Sequence, residues 1–431
     1  MRIAVIGSGI SGLSAALRLT PAHAVTVFES QPRLGGHAHS VEVNLDGHSA
    51  QVDTGFLVYN HRTYPRLVAL FDELEVPTAA SDMSFSVSVG PYDFEWCGSN
   101  LRAVFAQPAN ALRPGFWRML ADIARFNRQA SALAIQAERD EAARPLDQSL
   151  GSFLADNRYS APFRDGYLLP MAAAIWSCPM ATMLDFPMGS FARFFHNHGL
   201  LSVTDRPQWH TVRGGSGEYV RRIRARLNDV RTDEPVLSLR RLGIDGAAGV
   251  ALATRRGTEH FDQVVLACHS DQALTLLADA REDEREILAA IPYQSNRAWL
   301  HTDERLMPRR RAAWAAWNYL SNGETAAPEV SVTYWLNRLQ PLPFRQQVLL
   351  SLNPLFEPRA DRTLAHFEYE HPIFGQGAAA AQRALPGIQG RRATWFAGAW
   401  TGYGFHEDGL RSGLDVAERL LAQTAIERIA A

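Results

Sequence analysis

The sequence predicts an α/β protein. A Rossmann-like dinucleotide-binding domain, discontinuous in the chain, is joined to an α+β domain that holds the substrate. Three observations predict this. The chain opens on strand, glycine turn, helix and strand between Arg2 and Glu29. Glycine-rich stretches stand at both of its ends. At 431 residues it is longer than the size at which one core keeps growing, so two domains are expected.

Arg2 to Ile6 is a short apolar run rich in β-branched residues, the pattern of a buried strand. Gly7, Gly9 and Gly12 follow in G-x-G-x-x-G spacing, and Ser11 to Leu19 carries apolar residues at helical spacing. Ala24 to Phe28 is a second strand, ending on Glu29. Gly7 permits a tight turn. Gly9, lacking a Cβ, lets a pyrophosphate lie against the backbone, and Gly12 lets helix and strand pack closely. The helix N-terminus, with Ser11 in its first turn, offers N–H groups and a positive dipole end to phosphates. Glu29 lies about 20 residues on, where a carboxylate accepts from both ribose hydroxyls and repels a 2′-phosphate. Glycines also punctuate ordinary loops, but loops are not framed by a strand, a helix and a strand ending in Glu.

The next stretch, Glu29-Ser30-Gln-Pro-Arg33-Leu34-Gly35-Gly36, resembles the second fingerprint of the FAD-dependent amine oxidase superfamily, which also holds phytoene desaturases and protoporphyrinogen oxidases. The resemblance implies a GR2-type fold with FAD as cofactor, in which this stretch wraps the ribose and pyrophosphate. His37 stands where the superfamily usually has Arg.

Composition narrows the class. The hydrophobic fraction of 46% and the charged fraction of 20% are those of a globular protein. A net charge of −2 leaves no electrostatic footprint for nucleic acid. Every basic residue is Arg; there is no lysine. Cys97, Cys178 and Cys268 are far apart, without a C-x-x-C, which fits a reducing compartment and neither a disulfide framework nor zinc. The pairs His37/His39 and His196/His198 share a face if extended, but no third ligand stands near, so no metal is expected. The first strand begins at once, so no signal peptide is expected, and no apolar run is long enough to span a bilayer. A cytoplasmic protein is expected, with peripheral contact to a membrane left open.

Along the chain, Ser40 to Asp53 reads as a hairpin around Asp46-Gly47. Asp53-Thr54-Gly55-Phe56 follows. The resemblance brings such a D-x-G element, with Thr54, Gly55 and Phe56, close to the flavin; the alternative is an ordinary turn. Tyr64 to Leu74 is an amphipathic helix. Ser84 to Val89 alternates as a strand, with Tyr92 to Trp96 as its hairpin partner. Helical patterns run from Leu101 to Ala137, broken near Pro108 and Pro114, with a stripe of Phe116, Trp117, Leu120, Ile123 and Phe126. Core is the first reading of that stripe, an acyl- or membrane-facing surface the second. Residues 167–201 are rich in Met and aromatic groups and read either as core or as the lining of an apolar tunnel.

Trp209 to Val220 resembles the superfamily's re-entry into the FAD domain. An Arg-rich helix follows, and Pro235–Leu239, Val250–Thr254 and Phe261–Cys268 read as strands. The resemblance places a backbone contact to adenine at Val236. Trp314, Trp317, Tyr319, Tyr334 and Trp335 fall in strand-like runs that form either an aromatic wall or a sheet core. The expected division is an FAD-binding domain from 1–80, 205–290 and 386–431, and a substrate domain from 81–204 and 291–385.

The end of the chain, Phe396-Ala-Gly398-Ala399 and then His406-Glu407-Asp408-Gly409-Leu410-Arg-Ser412-Gly413, resembles the superfamily's C-terminal flavin motif. It implies cofactor contacts at Gly398, Ala399, Glu407, Gly409 and Leu410, and a helix beginning near Gly409 whose N-terminus faces the flavin. Two positions depart from the pattern: Ala399 replaces an acidic residue, and Asp408 a glycine. G-G-H-A-H-S near the start and G-Y-G-F-H-E-D-G-L-R-S-G at the end resemble bacterial flavoproteins of the fatty-acyl desaturase and isomerase kind. Many amine oxidases place a Lys–water pair at the flavin, which this chain lacks. The resemblance therefore implies an FAD-dependent oxidoreductase acting on a hydrophobic or lipid substrate, with His406 as candidate acid or base. A flavin amine oxidase, a protoporphyrinogen-oxidase-like enzyme and a non-catalytic FAD-binding partner of lipid enzymes are the alternatives.

Overall fold

β1 (Arg2–Ile6) lies at the centre of a five-stranded parallel sheet. β2 (Ala24–Phe28) pairs with one side and Gln263–Leu266 with the other. Asp229–Arg231 and Thr394–Phe396 form the edges, so three distant stretches of chain build one sheet. Its central strands are buried on both faces, as their unbroken apolar runs require. The computed structural model describes residues 1–90, 93–139, 148–202, 206–323 and 330–430.

α1 (Ile10–Leu19) follows the glycine turn and packs along the C-terminal helix His406–Ala430. The two helices touch at glycines. A Cβ on Gly413 would stand 2.1 Å from the Ser11 carbonyl oxygen, and one on Gly409 2.9 Å from Ile10 Cγ2. This helix begins at His406, three residues earlier than the periodicity predicts. Glu407 and Asp408 occupy its first turn, where the dipole favours acidic groups.

The second large sheet has seven strands, in the order 363–372, 293–301, 349–352, 331–335, 317–321, 85–89 and 94–97. All neighbours are antiparallel except Trp317–Ser321 with Phe85–Val89. The hairpin partner of Phe85–Val89 is thus Phe94–Cys97, while Tyr92, expected in it, lies outside the described residues. Helices Pro114–Arg139 and Met188–Asn197 pack together, joined by Phe126 against Phe191, with Phe163 of the short helix Ala161–Phe163 also against Phe126. Among the described residues no helix is long and apolar enough to cross a membrane.

Three local expectations change. Pro235–Leu237 is loop, and the strand begins at Ser238. It joins Val250–Thr254 and Gly257–Phe261 in a small antiparallel sheet, the last strand too polar to be read from apolar alternation. His196 falls inside a helix that ends at Asn197, so it does not share a strand face with His198. The hairpin Ser40–Leu45/His48–Asp53 turns on Asp46 and Gly47, both at positive φ (53° and 77°), as a tight primed turn requires.

Asp53, at the end of that hairpin, ties three segments together. Its Oδ1 accepts from Ser40 Oγ (2.6 Å), Ser216 N (2.7 Å) and Ser216 Oγ (2.7 Å), and its Oδ2 from Gln340 Nε2 (2.8 Å). Burial pushes its carboxyl up to about 6, against the hydrogen bonds that pull it down. A raised folded-state value means that this group's stabilisation is full below the unfolded value and is lost as pH rises through about 6. Asp53→Ala should therefore destabilise the fold, and the wild-type advantage in denaturant midpoint should shrink between pH 4 and pH 7. An advantage that grows with pH would show that the carboxylate is held charged.

Candidate functional site

A cavity of about 680 Å³ opens at the C-terminal ends of β1, β2 and Gln263–Leu266. Ligands bind at this place in open parallel sheets, where successive strands diverge to the two sides. Gly7, Gly9 and Ser11 from the first glycine motif line it, as do Glu29, Ser30, Gly35 and Gly36 from the second. The motifs touch: a Cβ on Gly36 would lie 3.2 Å from Gly9 Cα. Ser8, which the sequence reading passed over, joins them. Its N–H and Oγ donate to Glu29 Oε2 (3.0 and 2.6 Å), and its Oγ accepts from Gly35 N. Glu29 Oε1 accepts from Gln31 N (2.9 Å).

These residues fit a dinucleotide. The first helical bond of α1 runs from Leu13 N–H to Gly9 O, and no side chain caps the helix. The N–H groups of Ile10, Ser11 and Gly12, at the helix end that meets the cavity, thus have no backbone partner among the described residues. A Cβ on Gly9 would meet nothing within 4 Å, so open space lies against its backbone. Val236 lines the same end, and its own N–H and C=O make no backbone bond among the described residues. His37 lines the wall beside Gly36, with its buried Nε2 an orphan among the described residues. Thr54, Gly55 and Phe56 pass directly against it, Phe56 N–H donating to the His37 carbonyl at 2.7 Å. Gly398 and Ala399 line the cavity from the far edge of the sheet.

Other expected contacts lie behind the wall. Gly12 packs α1 onto the turn, and Arg33 braces the loop by donating from Nη1 to the Gly36 carbonyl (2.8 Å). Leu34 packs against the core. Glu407 turns away and accepts from Arg66 N and Leu67 N (2.9 and 3.0 Å), capping the helix Pro65–Glu73. Gly409 and Leu410 face α1 and the core rather than the cavity. Asp408, at the position usually glycine, folds back to accept from Tyr403 N and Phe405 N, both at 3.1 Å. The acidic first turn of the last helix thus holds its neighbours in place.

His406 lines the cavity and is held by two aromatic neighbours. Its ring stacks on Phe56 at 3.9 Å, and Nε2 shares a hydrogen bond with the fully buried Tyr219 hydroxyl at 2.7 Å. Burial pushes its pKa down to about 3 and that of Tyr219 well up. His406 is therefore a neutral imidazole near pH 7, tied to a neutral phenol.

The other half of the cavity is apolar. Ile175, Trp176, Phe194 and Leu200 enter from the 167–201 segment, while Phe191 and Phe195 of that segment stay in the core, stacked at 4.1 Å. Trp317 and Tyr334 form a cross-strand pair on the facing sheet, with rings 4.7 Å apart and near perpendicular. Trp335 and Trp314 pack against each other away from the cavity, so the aromatic runs serve both readings. Phe405 and Phe194 stack at 4.8 Å. The acidic lining residues are Glu29, Glu234, Asp271 and Glu370; the first two stand at the dinucleotide end, and Glu370 faces His269 at 3.4 Å. Burial holds His198 and His371 near 4 and pushes His37 well below its ordinary value, so these imidazoles are neutral. Tyr369 and His371 were not expected in the site. Their signal is the alternation Phe367-x-Tyr369-x-His371 on one strand face. The Tyr369 hydroxyl is fixed by Thr54 Oγ1 and His39 Nδ1, both at 2.7 Å.

A parallel sheet with a glycine cradle, an uncapped helix N-terminus and an apolar chamber beside them defines a dinucleotide-dependent oxidoreductase of the GR2 type. The chain belongs to the flavin containing amine oxidoreductase family, whose model matches residues 10–421. Its cofactor is accordingly FAD, and the protein is an FAD-dependent oxidoreductase. Among curated proteins none matches by sequence. Solved structures share the fold. A fatty acid isomerase from P. acnes that produces CLA is 15% identical, covering 97% of this chain and 98% of that one at TM-score 0.66. Cyclohexylamine oxidase from Brevibacterium oxydans IH-35A is 15% identical, with 98% and 99% covered at TM-score 0.70. Putrescine oxidase, in its structure bound to putrescine, gives the same identity, coverage and score.

Glu29→Ala should raise the dissociation constant for FAD about a hundredfold, through loss of charge-assisted bonds worth about 1.5–3 kcal/mol each. Equilibrium dialysis of the apoprotein checks this; unchanged retention would remove Glu29 from the cofactor site.

Proposed function

We propose that this enzyme acts on the hydrocarbon part of a long acyl chain, removing hydrogen or moving a double bond. The observation that supports it is the inner chamber, bounded by Ile175, Trp176, Phe194, Trp317 and Leu350. None of these five residues is acidic, Glu29 and Glu234 stand at the cofactor end and Glu370 faces His269, the lining histidines are neutral, and the cavity wall has no arginine among the described residues. A cationic amine entering there would be desolvated with no counter-charge, at a cost of several kcal/mol. A methylene chain loses only water and gains dispersion contacts.

The fold itself does not choose, since it serves a fatty acid isomerase and amine oxidases alike. Bound FAD supplies a two-electron acceptor able to take a hydride from carbon. The chain's own contribution is position and dryness. Trp176, Phe194 and Phe405 close one wall against water, and Trp317 with Tyr334 presents flat faces that hold a chain against the other. Tyr369 is locked by Thr54 and His39, and so offers a fixed edge between the two halves. An unactivated C–H bond is a poor hydride donor, so an allylic position is the expected reaction centre. The same reading divides the chain into an FAD-binding part (1–80, 205–290, 386–431) and a substrate part (81–204, 291–385).

The test is product analysis. Holoenzyme incubated with oleate or linoleate should yield acyl chains with a new or displaced double bond by gas chromatography. Unaltered chains across free acids and phospholipids, with deaminated products from amines, would overturn the proposal.

A further inference from the structure

A second cavity, of about 490 Å³, lies beside the first on the same face of the seven-stranded sheet. The strand Trp317–Ser321 relates them: Trp317 faces the first cavity and Tyr319 the second, two residues apart and therefore on one face. Ser177 and Met180 repeat the relation on the opposing wall. Tyr319 Oη and Met180 Sδ meet at 3.6 Å, both lining the second cavity next to Trp317 and Ser177 of the first. A thioether on three rotatable bonds moves aside readily.

The second cavity is lined mainly by Val89, Phe94, Phe116 and Met119, with one basic residue, Arg113, and one acidic residue, Asp165. Arg113 uses a single nitrogen on the protein, Nη1 donating to Asp93 O (3.2 Å) and Asn110 Oδ1 (3.1 Å). Its Nε and Nη2 make no hydrogen bond among the described residues. The nearby carboxylates are already matched, Asp165 by Arg164 (2.8 and 2.9 Å) and Asp93 by Arg310 (2.9 and 3.2 Å). One guanidinium edge thus remains for an anion at the end of an apolar slot.

We infer that the second cavity is the outer half of the substrate site: it takes the part of the acyl chain next to the head group, and Arg113 holds that group's carboxylate or phosphate. This rests on the acyl reading above. The reacting segment then lies past Tyr319 and Met180 in the inner chamber, and the distance from Arg113 sets which carbon is reached. It also accounts for a first cavity that must hold both FAD and substrate yet contains no anchor for an anionic end.

Binding of cis-parinaric acid, a fluorescent long-chain fatty acid, to the FAD-loaded protein tests this without turnover. Arg113→Ala should raise its dissociation constant about tenfold, as loss of one charge-assisted contact would. Val89→Trp, which fills the slot, should weaken it at least as much while leaving flavin absorbance unchanged. Wild-type protein alone gives a second arm: oleate or oleoyl-lysophosphatidate should displace the probe about tenfold better than methyl oleate, and whichever is stronger identifies the head group. Wild-type affinity in both variants, or equal displacement by methyl oleate, would overturn the inference while leaving the acyl reading intact. Failure of the probe to bind wild-type protein would overturn both.

Discussion

Gly12→Ala is expected to give a chain that does not reach a stable fold. The added Cβ would sit 1.9 Å from the Gly7 carbonyl oxygen and 3.1 Å from Ala267 Cβ. Both neighbours are fixed, one by the tight turn at Gly7 and the other by the central sheet, where Ala267 N–H donates to the Ile6 carbonyl. Relief would require α1 to move off β1, and α1 cannot move without breaking its close contact with the C-terminal helix at Gly409 and Gly413. Overpacking ordinarily costs about 1–3 kcal/mol, and a clash with the fixed Gly7 backbone on one side and Ala267 Cβ on the other lies at or above the top of that range. Thermal unfolding by circular dichroism checks it; a midpoint within a few degrees of wild type would show that helix and strand are less tightly opposed than the structure has them.

Gly9→Val, three residues earlier in the same motif, is expected to do the opposite: fold normally and emerge colourless. Gly9 sits at φ −64° and ψ 176°, open to any L-residue, and a Cβ there meets nothing within 4 Å. The branched side chain would occupy the space against the backbone that a pyrophosphate needs. Its two methyl groups would also screen the N–H groups of Ile10, Ser11 and Gly12. Wild-type unfolding in denaturant together with near-complete loss of bound FAD is the expected pair of results. A yellow Gly9→Val protein with normal FAD content would move the cofactor away from the first glycine motif. One motif thus separates two demands, a packing contact at Gly12 and a vacant surface at Gly9.

That separation also shows why parts of the site were legible in the sequence and others were not. Strand, turn and helix from Arg2 to Leu19 declare themselves because local spacing and tertiary role coincide. Glu407 and Leu410 are expected at the cofactor because the stretch containing them resembles a flavin motif. In the structure that motif serves helix packing and capping as well, and only the contacts tell which residue does which. His406 was marked by being titratable and near the motif, yet its partner Tyr219 lies 187 residues away, and no local pattern announces the pairing. The same holds for Tyr369 with Thr54 and for Asp53 with Gln340, which join opposite parts of the chain. The 167–201 segment was read as either core or tunnel; its helices give one face to each.

The central claim is that an FAD site opens onto a chamber suited to hydrocarbon and not to amines. Anaerobic stopped-flow absorbance of the oxidised flavin tests it most directly. Holoenzyme is mixed with linoleate in one syringe set and with putrescine or cyclohexylamine in the other. Bleaching with linoleate, lasting for a dehydrogenation or transient for a double-bond shift, and none with the amines, is the result the account predicts; bleaching by an amine alone would contradict it.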